Sequence, residues 1–351
     1  MKNLIYLIYL IYLVCFFSLI IISAGAINAQ DAVVETVLDG LNNPSGVAIQ
    51  PETGHVFVAD SGHLRVIRVV DGQAEDVITD FPRDVYGKGP FYDIGPLGLL
   101  FLDKDTLMVG GGGLPDGEEM LRVFKLPAAG QGPIKADQLH GEAKVLAGNI
   151  EFQGEGNFYA MAKGSKGVYV TCNGDDDKGW VALATLDEDY KLKHFERAIA
   201  TKEAIGVDAP VAITISPDRH IVVGQMGETD EVGDSQLTFY SEGKKKLDNF
   251  TLGLNDITAL AYSPIRERLF CTDFNWRDPG NGGLYKIVRA RNKNGCTAKQ
   301  IVSLKKPTAL AFNSDGDAFI TLAGTTADGN KEPDGQLVMI RRLDVAPRKS
   351  E

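Results

Sequence analysis

The chain has 351 residues, 44% of them hydrophobic and 24% charged, with a formal net charge of −11. Such a composition excludes a disordered or collagen-like chain and is ample for a large core. The acidic balance speaks against nucleic acid and anionic membrane surfaces as partners, and suits a protein that attracts cations.

Residues 1–29 form a segment of their own. Lys2 is their one charged side chain, and Leu4 to Ile22 is apolar apart from its tyrosines and Ser18. The small-residue stretch Ser23-Ala24-Gly25-Ala26-Ile27-Asn28-Ala29 follows. Positive start, apolar core and small-residue site read as a secretory signal peptide, cleaved after Ala26 or Ala29. The apolar run of 19 residues is also near the length that spans a bilayer, so an uncleaved anchor is the alternative and the one route to a membrane. The 36 basic residues less Lys2 leave 35, against 47 acidic ones, a mature net charge of −12. A secreted or periplasmic protein is expected. The mature chain keeps Cys172, Cys271 and Cys296, too few for a disulfide framework. Cys271 and Cys296 would lie nearly two strand spacings apart in one sheet, so no bridge is expected between them.

From residue 30 onward one short pattern returns six times. A small residue stands at Gly46, Gly98, Ala160, Ala212, Ala259 and Ala309, at spacings of 52, 62, 52, 47 and 50. Pro44, Pro96, Pro210 and Pro307 precede four of them by two positions. Each is followed by an apolar run, a turn and a second apolar run, as in Val47-Ala48-Ile49 and then His55-Val56-Phe57-Val58. A fixed period of this size with four strand candidates per unit means a propeller blade. The fifth unit is the clearest: Thr258 to Tyr262, Arg268 to Asp273, Gly283 to Val288 and Lys299 to Leu304. The small residues start the inner strands, where neighbouring blades converge and a bulky side chain would collide.

The last unit supplies three strand candidates, Ala309–Phe312, Ala318–Leu322 and Gln336–Arg341, before a charged tail at 346–351. The strand-like run Val33 to Leu38 stands before the first unit without a partner of its own. It is predicted to become the outer strand of the last blade, joining the two ends of the chain and leaving no open seam. The expectation is an all-β fold: a six-bladed β-propeller of four-stranded blades over residues 30–345.

The first unit reads Asn43-Pro44-Ser45-Gly46-Val47-Ala48-Ile49, then Val56-Phe57-Val58-Ala59-Asp60, then His63-Leu64-Arg65-Val66. This resembles the NHL repeat, with His63 where that repeat usually has Asn. The broader group it resembles is the six-bladed superfamily of NHL proteins, regucalcin/gluconolactonase-like (SMP-30) proteins and strictosidine-synthase-like proteins. The resemblance implies the fold more firmly than an activity, because one fold hosts many functions.

Aligning the units places Asn43, Asn157, Asp256 and Lys306 three residues before the small residue, and Asp208 and Asn255 four before it. Asp60, Cys172, Gln225 and Asp273 end second strands on the same rim. Oxygen ligands of this kind suit a hard cation such as calcium. Regucalcin-like lactonases, which the chain resembles, hold a divalent metal at this mouth with a Glu, two Asn and an Asp, and by position Asn157, Asp208, Asp256 and Asp273 are the ligand candidates here. The glutamate that family carries in its first blade is missing from Leu41-Asn42-Asn43-Pro44, and a similar turn, Gly154-Glu155-Gly156-Asn157, opens the third unit instead. The alternative for these side chains is turn capping.

Long, glycine-rich and mostly acidic loops share this rim, among them 110–119, 173–179, 227–231 and 275–280. Such loops on one face of a propeller are the usual place for binding. Asn43, Asp60, Gln225 and Trp276 are the ligand-binding candidates; Trp276 suits stacking on a sugar or peptide, or packing on the neighbouring blade. No nucleophile elbow, metal-spaced histidine pair or phosphate loop occurs. Two functions therefore stand side by side. One is a secreted binding module that takes a protein, peptide or carbohydrate on its acidic loop face. The other is a calcium-dependent lactonase or ester hydrolase. The residues name no catalytic group.

Overall fold

The computed structural model describes residues 32–87, 91–115, 117–146, 156–173, 179–289, 295–324 and 332–344. The leader, the tail at 346–351, Glu155 and much of the loops 173–179 and 325–329 lie outside the described residues. From Val33 on, the chain forms one unit. It is a propeller of six blades, each a four-stranded antiparallel array. Blade one runs through Pro44–Ile49, Val56–Asp60, Arg65–Val70 and Gln73–Thr79. Blade five runs through Ile257–Tyr262, Leu269–Asp273, Gly283–Arg289 and Cys296–Ser303. Cys296 is the first residue of the outer strand, and Cys172, Cys271 and Cys296 form no disulfide among the described residues.

Blade six is built from both ends of the unit. Val34–Leu41 pairs antiparallel with Gly335–Ile340, Val34 opposite Ile340 and Leu41 opposite Gly335. Across the seam to blade one, Thr308 Oγ1 donates to the Pro44 carbonyl. The hydrophobic core is distributed between blades, where adjacent sheets pack face to face. Val47, Val58 and Ile67 of blade one meet Phe319 and Leu337 of blade six. On its other side, Phe57 and Ala59 meet Leu107, Val109 and Phe124 of blade two.

Second strands are covered on both faces, which is why they read as continuous apolar runs instead of alternating ones. Every residue of Val56–Asp60, Val168–Cys172, Ile221–Gln225 and Leu269–Asp273 is buried. At the small-residue positions the inner strands nearly touch. A Cβ on Gly46 would lie 2.1 Å from the Leu97 carbonyl oxygen of blade two, and one on Gly98 would lie 2.6 Å from the Tyr159 oxygen of blade three.

The long spacing between the second and third units has a structural cause. After Met120–Lys125 the chain crosses back to blade one, where Ile134–Lys135 adds parallel to its outer strand at Ile78 and Thr79. It then returns to supply the short outer strand Lys144–Val145 of blade two. The detour covers an exposed sheet edge. A second departure from the repeat is the hairpin of Asp84–Tyr86 and Tyr92–Ile94, which links blades one and two.

Candidate functional site

The start of every inner strand carries the same irregularity. The ladder slips between Pro44 and Gly46, Pro96 and Leu99, Phe158 and Met161, Pro210 and Ala212, Ile257 and Ala259, and Pro307 and Ala309. A bulge of this kind releases a residue from the ladder and re-aims its side chain. The released residue immediately before the small one is Ser45, Leu97, Tyr159, Val211, Thr258 or Thr308. Five of these six, all but Leu97, line one cavity at the channel mouth. Their hydroxyls also tie blade to blade. Ser45 Oγ donates to the Pro96 carbonyl over 3.3 Å, and Thr258 Oγ1 donates to the Pro307 carbonyl over 2.7 Å.

The cavity has an aromatic roof. Tyr86 and Tyr92 come from the extra hairpin, and Phe274 and Trp276 come from the loop after the second strand of blade five. Trp276 stacks on Phe274 at 5.2 Å and 27°. It meets Tyr92 edge-on at 5.8 Å and Tyr86 edge-on at 6.3 Å. Asn43, Asn173 and Met226 complete the lining. The enclosed space is about 40 Å³, room for about three waters. That is less space than a sugar-sized ring occupies.

Backbone bonds hold the roof. Asp256 Oδ2 accepts the Trp276 N–H, and the Asp256 carbonyl accepts the Phe274 N–H over 2.9 Å. Asn43 Nδ2 donates to the Asp93 carbonyl over 3.1 Å, and Ser61 Oγ accepts the Gly95 N–H over 2.9 Å. Lys306, 8% exposed, donates from Nζ to the Tyr92 phenol oxygen. Its ammonium is 5.2 Å from the ring centroid yet within hydrogen-bond reach of that oxygen, so it sits off the end of the ring rather than over its face. The Lys306 backbone is left-handed, with φ +53°. Asn43, Asn157 and Ala209 share that conformation at the same register, and asparagine is the residue that adopts it most readily.

The carboxylates singled out from sequence have other partners in the structure. Asp273 Oδ1 accepts the Asp256 N–H over 2.8 Å, and its Oδ2 accepts the Asn255 N–H over 3.4 Å. Asp60 plays the same part in blade one, accepting the Asn42 N–H over 2.8 Å, and it also holds His63 Nδ1 and Arg65 Nε. Gln225 donates to the Val207 carbonyl and accepts from Thr238. Asp208 faces Lys202 at 3.4 Å. Among the described residues no group of three or more His, Cys, Asp or Glu side chains is arranged to hold a metal ion. Of the four ligand-binding candidates, Asn43 and Trp276 line the cavity. Asp60 and Gln225 are buried in the turns they tie.

Two features give the site its electrostatics. Burial pushes the Asp256 carboxyl up to about 7, opposed by the Trp276 N–H and reinforced by the charges of Asp273 and Asp234. Its Oδ1 is buried without a hydrogen-bond partner among the described residues. Asp273 is also raised by burial, with backbone N–H groups opposing. On the cavity wall, Asn173 Oδ1 is another buried acceptor without a partner among the described residues.

Alignment of the repeats on the turn residues found Asn43 but missed the bulge positions that line the cavity. The signal was present one residue before each small residue, where Ser, Tyr, Val and Thr vary while the flanking positions repeat. Tyr86 and Tyr92 had no such signal, because they belong to a linker outside the repeat.

No protein-family model matches the sequence, and no curated protein matches it. Solved structures do. The chain is similar to a PQQ-bound aldose sugar dehydrogenase from Streptomyces coelicolor, with TM-score 0.59 and 14% identity over 88% of this chain and 98% of that one. It is similar to a protein from Thermus thermophilus described as an oxidoreductase of the glucose dehydrogenase kind, with TM-score 0.60 and 15% identity over 88% and 99%. It is also similar to a gluconolactonase from Xanthomonas campestris, with TM-score 0.56 and 14% identity over 89% and 90%. At such identities the likeness is one of fold: the chain has the six-bladed β-propeller architecture shared by gluconolactonases and glucose dehydrogenases.

Proposed function

We propose that this propeller is exported on its leader and binds a hydroxylated ring, a sugar or a sugar derivative, at the channel mouth, with part of the aromatic roof moving aside to admit it. The observation that carries the reading is the cavity itself, where bulge residues from five blades meet under four aromatic side chains. Aromatic faces suit the apolar faces of a pyranose, while a few convergent polar groups fix its orientation. Ser45, Thr258, Thr308 and Asn43 offer those groups, and the unpartnered Asn173 Oδ1 suits a ligand hydroxyl. The neighbours described as acting on glucose or a gluconolactone fit the same ligand class.

The test is calorimetric titration with D-glucose and 1,5-anhydro-D-glucitol, followed in parallel by tryptophan fluorescence. Binding is expected, with a fluorescence change from Trp276 that survives Trp180→Phe. Trp276→Ala is expected to weaken binding at least tenfold. Absence of heat and of any fluorescence change with either compound at millimolar concentration would sink the reading.

A calcium-dependent lactonase is the second reading. Its support is the buried, unpartnered Oδ1 of Asp256 and the gluconolactonase neighbours. The donor set does not fit a calcium site as it stands, since Asp273 is held by backbone N–H groups and Asp208 by Lys202.

A further inference from the structure

The chain carries 47 acidic and 36 basic residues, yet one flank of blade five is crowded with cations. Lys286 stands directly opposite Lys299 where the third and outer strands pair, and Phe270 of the second strand stands opposite Lys286. Residues that face each other across a ladder point to the same side of the sheet. Phe270 packs on Phe312 of blade six, with 5.5 Å between ring centroids, so both lysines lie on the flank turned toward blade six. Arg268, two residues before Phe270, and Val288, two after Lys286, share that flank. Arg266 adds its charge from the turn before Arg268.

The arrangement costs stability, because like charges directly opposite on neighbouring strands repel. Burial pushes the Lys286 ammonium below its ordinary value, and Arg268, Lys299 and Arg266 press the same way, with Asp344 opposing. Asp344 is itself engaged: Oδ2 accepts the Ser263 hydroxyl over 2.9 Å, and Oδ1 accepts Arg268 Nη1 over 3.0 Å. Lys286, Lys299 and Arg266 have no ion pair or side-chain hydrogen bond among the described residues. Uncompensated departures from local rules concentrate at functional surfaces. A ligand of opposite charge would remove the repulsion.

The shape of the patch narrows the partner. Lys286 is half-buried, while Lys299, Arg266 and Arg268 are exposed and Val288 beside them is 41% exposed. A planar bilayer meets the outermost side chains of a blade and not a half-buried lysine between two blades. A stiff duplex of nucleic acid meets the repulsion of a net charge of −11. A single flexible chain of spaced anions can lie along the flank. Phe270 and Lys286 stand toward the end of the blade away from Asp273 and the channel mouth, so the patch is separate from the cavity. We propose that this flank binds an acidic polysaccharide, its carboxylates seated on Lys286, Lys299 and Arg266.

Calorimetry of the exported protein with polygalacturonate, neutral dextran and phosphatidylglycerol vesicles tests the assignment. Polygalacturonate should bind and dextran should not. Raising the salt from about 20 mM to about 150 mM should weaken polygalacturonate binding at least threefold, as expected for exposed charges. The double variant Lys286→Gln with Lys299→Gln should bind polygalacturonate at least tenfold more weakly. Its urea midpoint should equal or exceed that of the parent, since a repulsive pair is gone. Lys104→Gln with Lys166→Gln removes the same charge from blades two and three and should change binding less than twofold. Absence of polygalacturonate binding at the lower salt would overturn the proposal. So would an equal loss in the two double variants, a lowered urea midpoint in the first, or vesicle binding as tight as that of polygalacturonate. None of these outcomes bears on the ring reading of the channel mouth, which stands or falls on its own titration.

Discussion

Blades one and five place an aspartate at the same point, the last residue of the second strand, and the two have different fates. Asp60 in blade one and Asp273 in blade five each accept a backbone N–H from the turn that opens their own inner strand. The residues after these aspartates differ. Blade one continues with His63 and Arg65, both bonded to Asp60 Oδ2. Blade five continues with Phe274 and Trp276, which roof the cavity and give Asp273 no cation. The repeat therefore builds the same turn twice, and its downstream neighbours decide whether the carboxylate is neutralised or left under the pressure of burial. Blade one is a structural tie; blade five is where the turn carries the site.

The largest expected contrast between the two blades lies in their inner strands. Gly46→Ala should destabilise the protein by about 3 kcal/mol, because the new Cβ meets backbone that has little room to shift. The counterpart Ala259→Gly should cost about 1 kcal/mol, through backbone freedom and the loss of one buried methyl. Urea unfolding of both variants measures the asymmetry, and equal losses would mean that blades one and two can part at little cost.

The aspartates come next. Asp60→Ala removes the acceptor of the Asn42 N–H, His63 and Arg65 together. It is expected to cost about 2–3 kcal/mol. Asp273→Ala orphans backbone N–H groups only and removes a carboxylate that burial disfavours. A smaller loss of about 1–2 kcal/mol is expected. Thermal unfolding at pH 7 compares the pair; a reversed order would show that the cations in blade one contribute nothing.

The third effect is one of pH. Folding raises the Asp256 carboxyl from its ordinary 3.8 to about 7, burial being the main cause. Between those values the folded protein keeps a proton that the unfolded chain has lost. The group's contribution to stability is thus full below pH 3.8 and is lost as pH climbs to about 7. Asp256→Asn should leave stability at pH 4 nearly unchanged and raise it by about 1–2 kcal/mol at pH 8. Glu119, also pushed to about 7 by burial, acts with the same sign. The slope of the stability profile should therefore flatten without vanishing. An unchanged profile would mean that Asp256 is solvated in the folded protein.

The number of blades was legible because a propeller repeats one packing problem. Each inner strand needs a small residue where it meets its neighbour, and Gly46 and Gly98 show the collision avoided. The partnerless run near Val34 was legible for a related reason, since a three-stranded final blade leaves an edge that something must cover. The candidate site was legible only in part. Asn43 and Trp276 were found because they sit in turns of the repeat, and both line the cavity. Asp60 and Gln225 were drawn from the same alignment, and their side chains are tied to backbone in the interior. Residue type and register are the same for a carboxylate that caps a turn and one that faces a ligand; the difference lies in which N–H groups come within reach.

The architecture was already written in the order of the amino acids. The period, the four strands per unit, the small residues and the unpaired first strand are local requirements repeated along the chain. The site came into being only on folding. The bulge that turns Tyr159 and Thr258 into the channel is a property of strand pairing. The roof joins Tyr86 and Tyr92 to Phe274 and Trp276, and Lys306 meets Tyr92 over a gap of 214 residues. Closing a ring brings such distant segments to one axis, and no local pattern records which side chains will meet there.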